Sequence, residues 1–255
     1  MLAPDALRAL LEEYLGALSF APELHGQEAS VRYALAGGKR VRGVICLATA
    51  EAAGASAAAA LPAAAALELV HAFSLVHDDL PALDDDVERR GRPSVWAEFG
   101  EAVAVLAGDA LLAEGFRQAL SYPTPALGRE LAEATLGMIG GQYLDITGSD
   151  VDLADSHRLK TGRLFAASVG LALWVAGVPE PDQASWRAFS EELGLLFQVV
   201  DDVLDGDGYA QQLGVGGARA LAAEAAARTT SRLAAIDADT TVLAEIVDGL
   251  AVRTA

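Results

Sequence analysis

One cysteine, Cys46, stands in 255 residues, so no disulfide can form within the chain. The expected role for Cys46 is that of a small buried residue in a cytosolic protein. Lysine is nearly absent too: Lys39 and Lys160 are the only two. With Lys and Arg at 18 against 36 Asp and Glu, the net charge is −18. Nucleic acid is therefore excluded as a partner, since binding it depends on basic side chains neutralising phosphates. Any anionic ligand must be drawn in by local arginines and a divalent metal, against the field of the whole chain. No cationic stretch followed by an apolar run opens the sequence, so no secretory leader is expected. No apolar run reads as a membrane span: residues 52–67 contain Pro62, residues 164–179 are short and hold two glycines, and both suit buried helices.

What is abundant is alanine, within a hydrophobic share of 53%. Alanine is the best helix former. Turn-rich punctuation at 121–125, 147–152, 178–183 and 205–208 separates segments with helical periodicity. Helices are predicted near 5–18, 27–35, 40–54, 63–79, 100–119, 126–146, 155–177, 183–205, 216–235 and 239–252. Strand alternation is convincing nowhere. The expectation is an all-α bundle of about ten helices forming a single domain over residues 1–255.

Two helices carry acids where apolar residues should be. His71, Ser74 and Asp78 fall at i, i+3 and i+7, on one face of an apolar helix. Pro81 must break that helix, which lets the chain turn and bring Asp84 back toward Asp78. In the second helix Gln198, Asp201, Asp202 and Asp205 fall at i, i+3, i+4 and i+7. Stacked carboxylates repel and lose hydration unless a cation compensates. Magnesium fits, because it takes oxygen ligands and binds through a few carboxylates plus substrate phosphates. The scarce cations cluster as well, at residues 36–43, 89–93 and 160–163. Gly37 and Gly38 permit close approach of a phosphate to a helix start flanked by Lys39, Arg40 and Arg42. Arginine adds a bidentate grip on phosphate oxygens.

In that order along the chain, GGKRVR, ALELVHAFSLVHDDLPALDDD, RRGRP, FGEAVAVLAGDALL, GQYLD, HRLKTG and FQVVDDVLD resemble the trans-isoprenyl diphosphate synthases, the farnesyl and geranylgeranyl diphosphate synthases. The resemblance implies an isoprenoid-synthase-type helical bundle around a central cavity, a homodimer, and two or three magnesium ions. It implies that Asp78 and Asp84, supported by Asp79, bind metal from one side, and Asp201, with Asp202 and Asp205 nearby, from the other. Arg89 and Lys160 would hold an allylic diphosphate, and Lys39, Arg42, His71 and Arg90 isopentenyl diphosphate. Thr161 and Gln198 would turn oxygen dipoles to the allylic cation. Phe73, five residues before Asp78 and so roughly 7.5 Å back along the helix, is the expected floor for the growing tail beside small Ser74. An aromatic at this place suits a fifteen-carbon product, with twenty carbons second. The chain departs from the family after Asp205, where a GKxxGKD loop is usual and no lysine occurs. Arg219 is the nearest basic residue there, and Arg253 could close the isopentenyl site. A non-catalytic partner subunit and a class I terpene cyclase are the alternatives.

Overall fold

A computed structural model describes residues 1–148 and 152–252, apart from the side chain of residue 156, so Arg253 lies outside the described residues. It is a helical bundle. The first helices are α1 (Pro4–Gly16), α2 (Glu28–Leu35), α3 (Val41–Ala52) and α4 (Ala57–Asp78). Then come α5 (Val95–Phe99), α6 (Glu101–Ala119), α7 (Ala126–Thr147), α8 (Leu153–His157) and α9 (Arg163–Val175). The chain closes with α10 (Ala184–Asp205), α11 (Gly208–Ala234) and α12 (Thr241–Ala251). The buried apolar side chains form one core cluster, with α4 packed against α3, α6 and α9 and α10 against α9 and α11.

α4 is apolar on nearly every side and passes for a membrane span by length and composition, yet 72% of its most apolar window is buried within this fold. It starts earlier than the proline suggested. Ser56 caps it, its hydroxyl accepting from the Ala59 amide at 3.2 Å, and Pro62 lies inside. A proline there lacks its N–H and crowds the carbonyl four residues back. The Tyr122 hydroxyl repairs the opened ladder, accepting from the Ala63 amide at 3.1 Å and donating to the Ala59 carbonyl at 2.7 Å. A side chain 59 residues away thus carries a helix through its proline.

Three further expectations are corrected. Two strands exist, β1 (Glu88–Arg89) and β2 (Arg92–Pro93), paired antiparallel with Arg89 opposite Arg92. Arg90 (φ 57°) and Gly91 (φ 75°) between them are both left-handed, as a tight two-residue hairpin requires. Such short strands leave no alternation to read. The helix expected over 155–177 is broken by a π turn, Arg158–Gly162. The helix expected from 216 begins at Gly208 and is interrupted at Gly214 (φ 73°, ψ 158°).

Candidate active site

α4 ends as its sequence demands. Asp79 closes the helix, and the Asp84 amide returns to donate to the Asp78 carbonyl at 2.9 Å, so the turn forced by Pro81 does bring the two acids together. His71, Ser74 and Asp78, one face of α4, line a cavity of about 620 Å³. Asp201 of α10, Gln142 of α7 and Lys160 and Thr161 of the π turn line it too, with Phe73, Leu112, Met138 and Ile139 making its apolar part. The α7 backbone comes very close to the π turn: a Cβ on Gly141 would lie 2.4 Å from the Lys160 nitrogen. Asp145 then accepts from Lys160 Nζ at 2.6 Å and fixes the lysine at the cavity edge.

A neighbouring cavity of about 360 Å³ is lined by Lys39, Arg42, His71 and Arg90, the four residues expected to act together on one diphosphate. Arg42, His71 and Phe197 belong to both cavities, so the two share a wall. The Arg42 guanidinium lies 4.5 Å from the Phe165 ring centre and 5.7 Å from that of Phe197. Its Nε is buried with no hydrogen-bond partner. Burial brings its pKa down to about 10, opposed by Glu68 and Asp201, and the side chain remains charged at neutral pH. His71 Nε2 sits 3.4 Å from Arg42 Nη1. Burial first, then the arginines around it, hold the imidazole pKa well below its ordinary value, so His71 faces both cavities as a neutral ring. Arg90 reaches across the mouth to the Gly37 carbonyl at 3.0 Å, in room left by Gly38, where a Cβ would touch its guanidinium.

Four expected residues are engaged elsewhere. Arg89 Nε donates to Asp79 at 2.9 Å, and Arg89 also pairs with Asp86 at 3.0 Å. Asp79, 2% exposed, is thereby occupied by a cation of the chain itself. Gln198 donates to Asp202 Oδ1 at 2.6 Å and lines a different cavity, beside His157 and Gly194. Asp202, also 2% exposed, accepts the Tyr209 amide on Oδ2 at 2.8 Å. It caps the start of α11, where Gly208 leaves space that a Cβ would fill 2.2 Å from the carboxylate. The polar stripe of α10 is thus divided: Asp201 faces the large cavity, Asp205 is exposed at the helix end, and the i, i+4 pair Gln198 and Asp202 satisfies itself. Sequence reasoning gave no role to Gln142 or Asp145, although both lie in the GQYLD stretch.

The donor set around Asp78 fits a divalent cation. Burial above all raises the Asp78 pKa to about 6, with Lys160 and Arg89 pulling it down and Asp84 and Asp79 pushing it up. Among the described residues no three acidic, histidine or cysteine side chains converge as a ready-made chelate. A pH effect follows. A folded pKa above the unfolded one means the protonated form favours the fold. In metal-free buffer the Asp78 contribution is present below about pH 4 and is lost as pH rises through about 6. Urea unfolding of wild type and Asp78→Asn across pH 4 to 7 should show the variant gaining relative stability as pH rises. A constant difference would place the raised pKa elsewhere.

The family model described as polyprenyl synthetase matches residues 26–227. A geranylgeranyl diphosphate synthase of Cyanophora paradoxa is 40% identical over 192 residues, 69% of this chain and 64% of that one. A farnesyl diphosphate synthase of Bacillus subtilis (strain 168) is 39% identical over 201 residues, 72% of this chain and 68% of that one. The chain spans less than two thirds of several such relatives, 58% for a probable farnesyl diphosphate synthase of Bradyrhizobium diazoefficiens. The crystal structure of a geranyltransferase from Legionella pneumophila superposes with a TM-score of 0.87 at 30% identity, covering 98% of this chain and 96% of that one.

Proposed function

Because the chain belongs to the polyprenyl synthetase family, we propose that it is a transferase joining isopentenyl diphosphate head to tail with an allylic diphosphate, farnesyl diphosphate being its main product and geranylgeranyl diphosphate second. One observation carries the reading: a cavity lined by cations and a larger cavity with acids at its edge and apolar depth share the wall of Arg42, His71 and Phe197. Two diphosphates bound there would present their hydrocarbon ends to each other.

Lys39, Arg42 and Arg90 hold the isopentenyl diphosphate, with neutral His71 as a hydrogen-bonding neighbour that adds no charge. The unpartnered Nε of Arg42 is a donor ready for a phosphate oxygen. Asp78 and Asp84 on one side and Asp201 and Asp205 on the other hold magnesium. Magnesium, when bound, supplies positive charge to the departing diphosphate. Lys160 completes the allylic subsite, with Arg89 held on Asp79 behind it, and Thr161 offers its hydroxyl dipole to the reacting carbon. Apolar side chains of the large cavity exclude water from the cation that forms when the allylic carbon–oxygen bond breaks. The chain acts in the cytoplasm as a homodimer, consistent with the exposed apolar side chains of Val105 and Leu106 on α6 and Leu136 on α7.

Phe73 sets the length of the product. Its ring meets that of His77 edge to face at 4.9 Å. His77 in turn lies 3.1 Å from the Val105 carbonyl and presses on Gly108, where a Cβ would come within 2.1 Å of its ring. The floor is braced and cannot swing aside cheaply. Purified protein given magnesium, isopentenyl diphosphate and dimethylallyl or geranyl diphosphate should release a fifteen-carbon product. Phe73→Ala should lengthen it by at least one five-carbon unit, read by sizing the extracted alcohols. Absence of any condensation would sink the reading, whereas an unchanged product in Phe73→Ala would move the floor.

A further inference from the structure

Gln142 on α7 lines the large cavity, and both ends of its carboxamide, Oε1 and Nε2, are buried without a hydrogen-bond partner. A buried amide left unpaired is costly, and such groups are rare enough in folded proteins to require a reason. Its surroundings are selective. Met138 and Ile139, one turn before it, and Ile146, one turn after, are apolar and line the same cavity. Asp145, the acid on this part of α7, already accepts from Lys160. The close approach of α7 to the π turn at Gly141 sets Gln142 beside Lys160 and Thr161. Gln198, expected to supply an amide dipole here, is held by Asp202 and lines another cavity. One neutral amide therefore stands unpaired in an apolar wall next to the residues proposed to hold the allylic diphosphate.

We propose that Gln142 is a catalytic residue of the condensation, its amide oxygen turned to the allylic carbon as positive charge develops there; this rests on the prenyl-transfer reading above. When the allylic carbon–oxygen bond breaks, its electron pair leaves on the diphosphate oxygen. The electron-deficient carbon then takes the pair of the isopentenyl double bond to form the new carbon–carbon bond. The proton lost in restoring a double bond passes to the released diphosphate. Gln142 makes and breaks no covalent bond. Its oxygen carries partial negative charge, which complements the cation more than the neutral ground state, and differential stabilisation of that kind raises kcat and not affinity. A neutral amide also cannot capture the cation as a carboxylate would.

The test uses full-length protein with Gln142→Leu and Gln142→Met, each assayed with magnesium and both diphosphates. Both variants should lose tenfold or more in kcat. KM for each substrate, and the calorimetric Kd for a non-reactive allylic thiolodiphosphate, should stay within twofold of wild type. Tm should be unchanged or higher, because the unpaired amide is gone. A kcat within twofold of wild type overturns the role. Variants that lose Tm by several degrees or fail to fold show the side chain to be structural and overturn it too. Wild-type protein that binds the analogue yet releases no diphosphate from true substrate removes the prenyl-transfer reading itself, whereas active wild type with unimpaired variants removes Gln142 alone.

Discussion

Asp201→Ala and Asp78→Ala are each expected to lower turnover on the order of 10³-fold, the scale of removing a main electrostatic contact to a developing anion, while leaving the helices intact. Both carboxylates line the large cavity from opposite helices, α4 and α10. The fold gains little from ionised Asp78, whose pKa is raised to about 6 first by burial and then by Asp84 and Asp79. Removing a crowded carboxylate should therefore hold or raise Tm. Asp202→Ala, one residue along, should behave in the opposite sense. Its carboxylate accepts from Gln198 and from the Tyr209 amide, and its loss should cost about 1–3 kcal/mol in stability. The series is read by product formation at saturating magnesium and by thermal unfolding. Near-normal turnover in either Asp78→Ala or Asp201→Ala would remove the two-sided metal assignment.

The contrast between Asp201 and Asp202 shows how far the sequence could be read. The stripe on α4 was legible because the one local bond, from the Ser74 hydroxyl to the His71 carbonyl at 2.9 Å, uses backbone and leaves position on the helix to decide which way the three side chains face. The stripe on α10 was not. Gln198 and Asp202 are themselves an i, i+4 pair, and the Tyr209 amide, presented by a turn at Gly206 and Gly208, competes for the same carboxylate. Periodicity assigns a face but not a partner. The cation cluster at Lys39, Arg42 and Arg90 was legible as chemistry, but its closure depends on a hairpin two residues deep that leaves no pattern. Helix α4 was misread at its start because the group that carries it through Pro62, the Tyr122 hydroxyl, lies on a distant turn. Gln142 was passed over for a related reason. An amide in a helical segment is ordinary until the fold denies it every partner.

Replacing Arg40 by methionine should destabilise the protein by about 3–5 kcal/mol, the scale of orphaning one member of a buried ion pair. Arg40 reads in the sequence as one more cation of a phosphate site; it borders the cation-lined cavity, yet it is 4% exposed and its guanidinium is taken up by acids of the chain. Its Nε pairs with Glu12 of α1 at 2.8 Å, and its Nη1 lies 3.5 Å from Glu68 of α4. Glu68 is 3% exposed and also accepts the Gly43 amide at 2.9 Å. Without Arg40 the Glu68 carboxylate keeps that one bond and loses its paired cation, leaving only the longer-range attraction of Arg42 and Arg90. Methionine retains much of the length at this left-handed position, φ 54°, and removes with the charge the hydrogen bond that Arg40 donates to the Leu35 carbonyl. The double variant Arg40→Met with Glu68→Gln should recover part of the loss, since the orphaned carboxylate is then gone, while Arg42 keeps the support of Asp201 alone. Urea unfolding of wild type, both single variants and the double variant gives the coupling directly. A single-variant loss under about 1 kcal/mol, or a double variant no better than Arg40→Met, would show the pair to be dispensable. Arg40 stands at the start of α3, between Lys39 and Arg42, both of which line the cation-lined cavity. If Arg40 orients those two cations, the double variant should fold and still require more isopentenyl diphosphate for half-maximal rate, with its requirement for the allylic substrate unchanged.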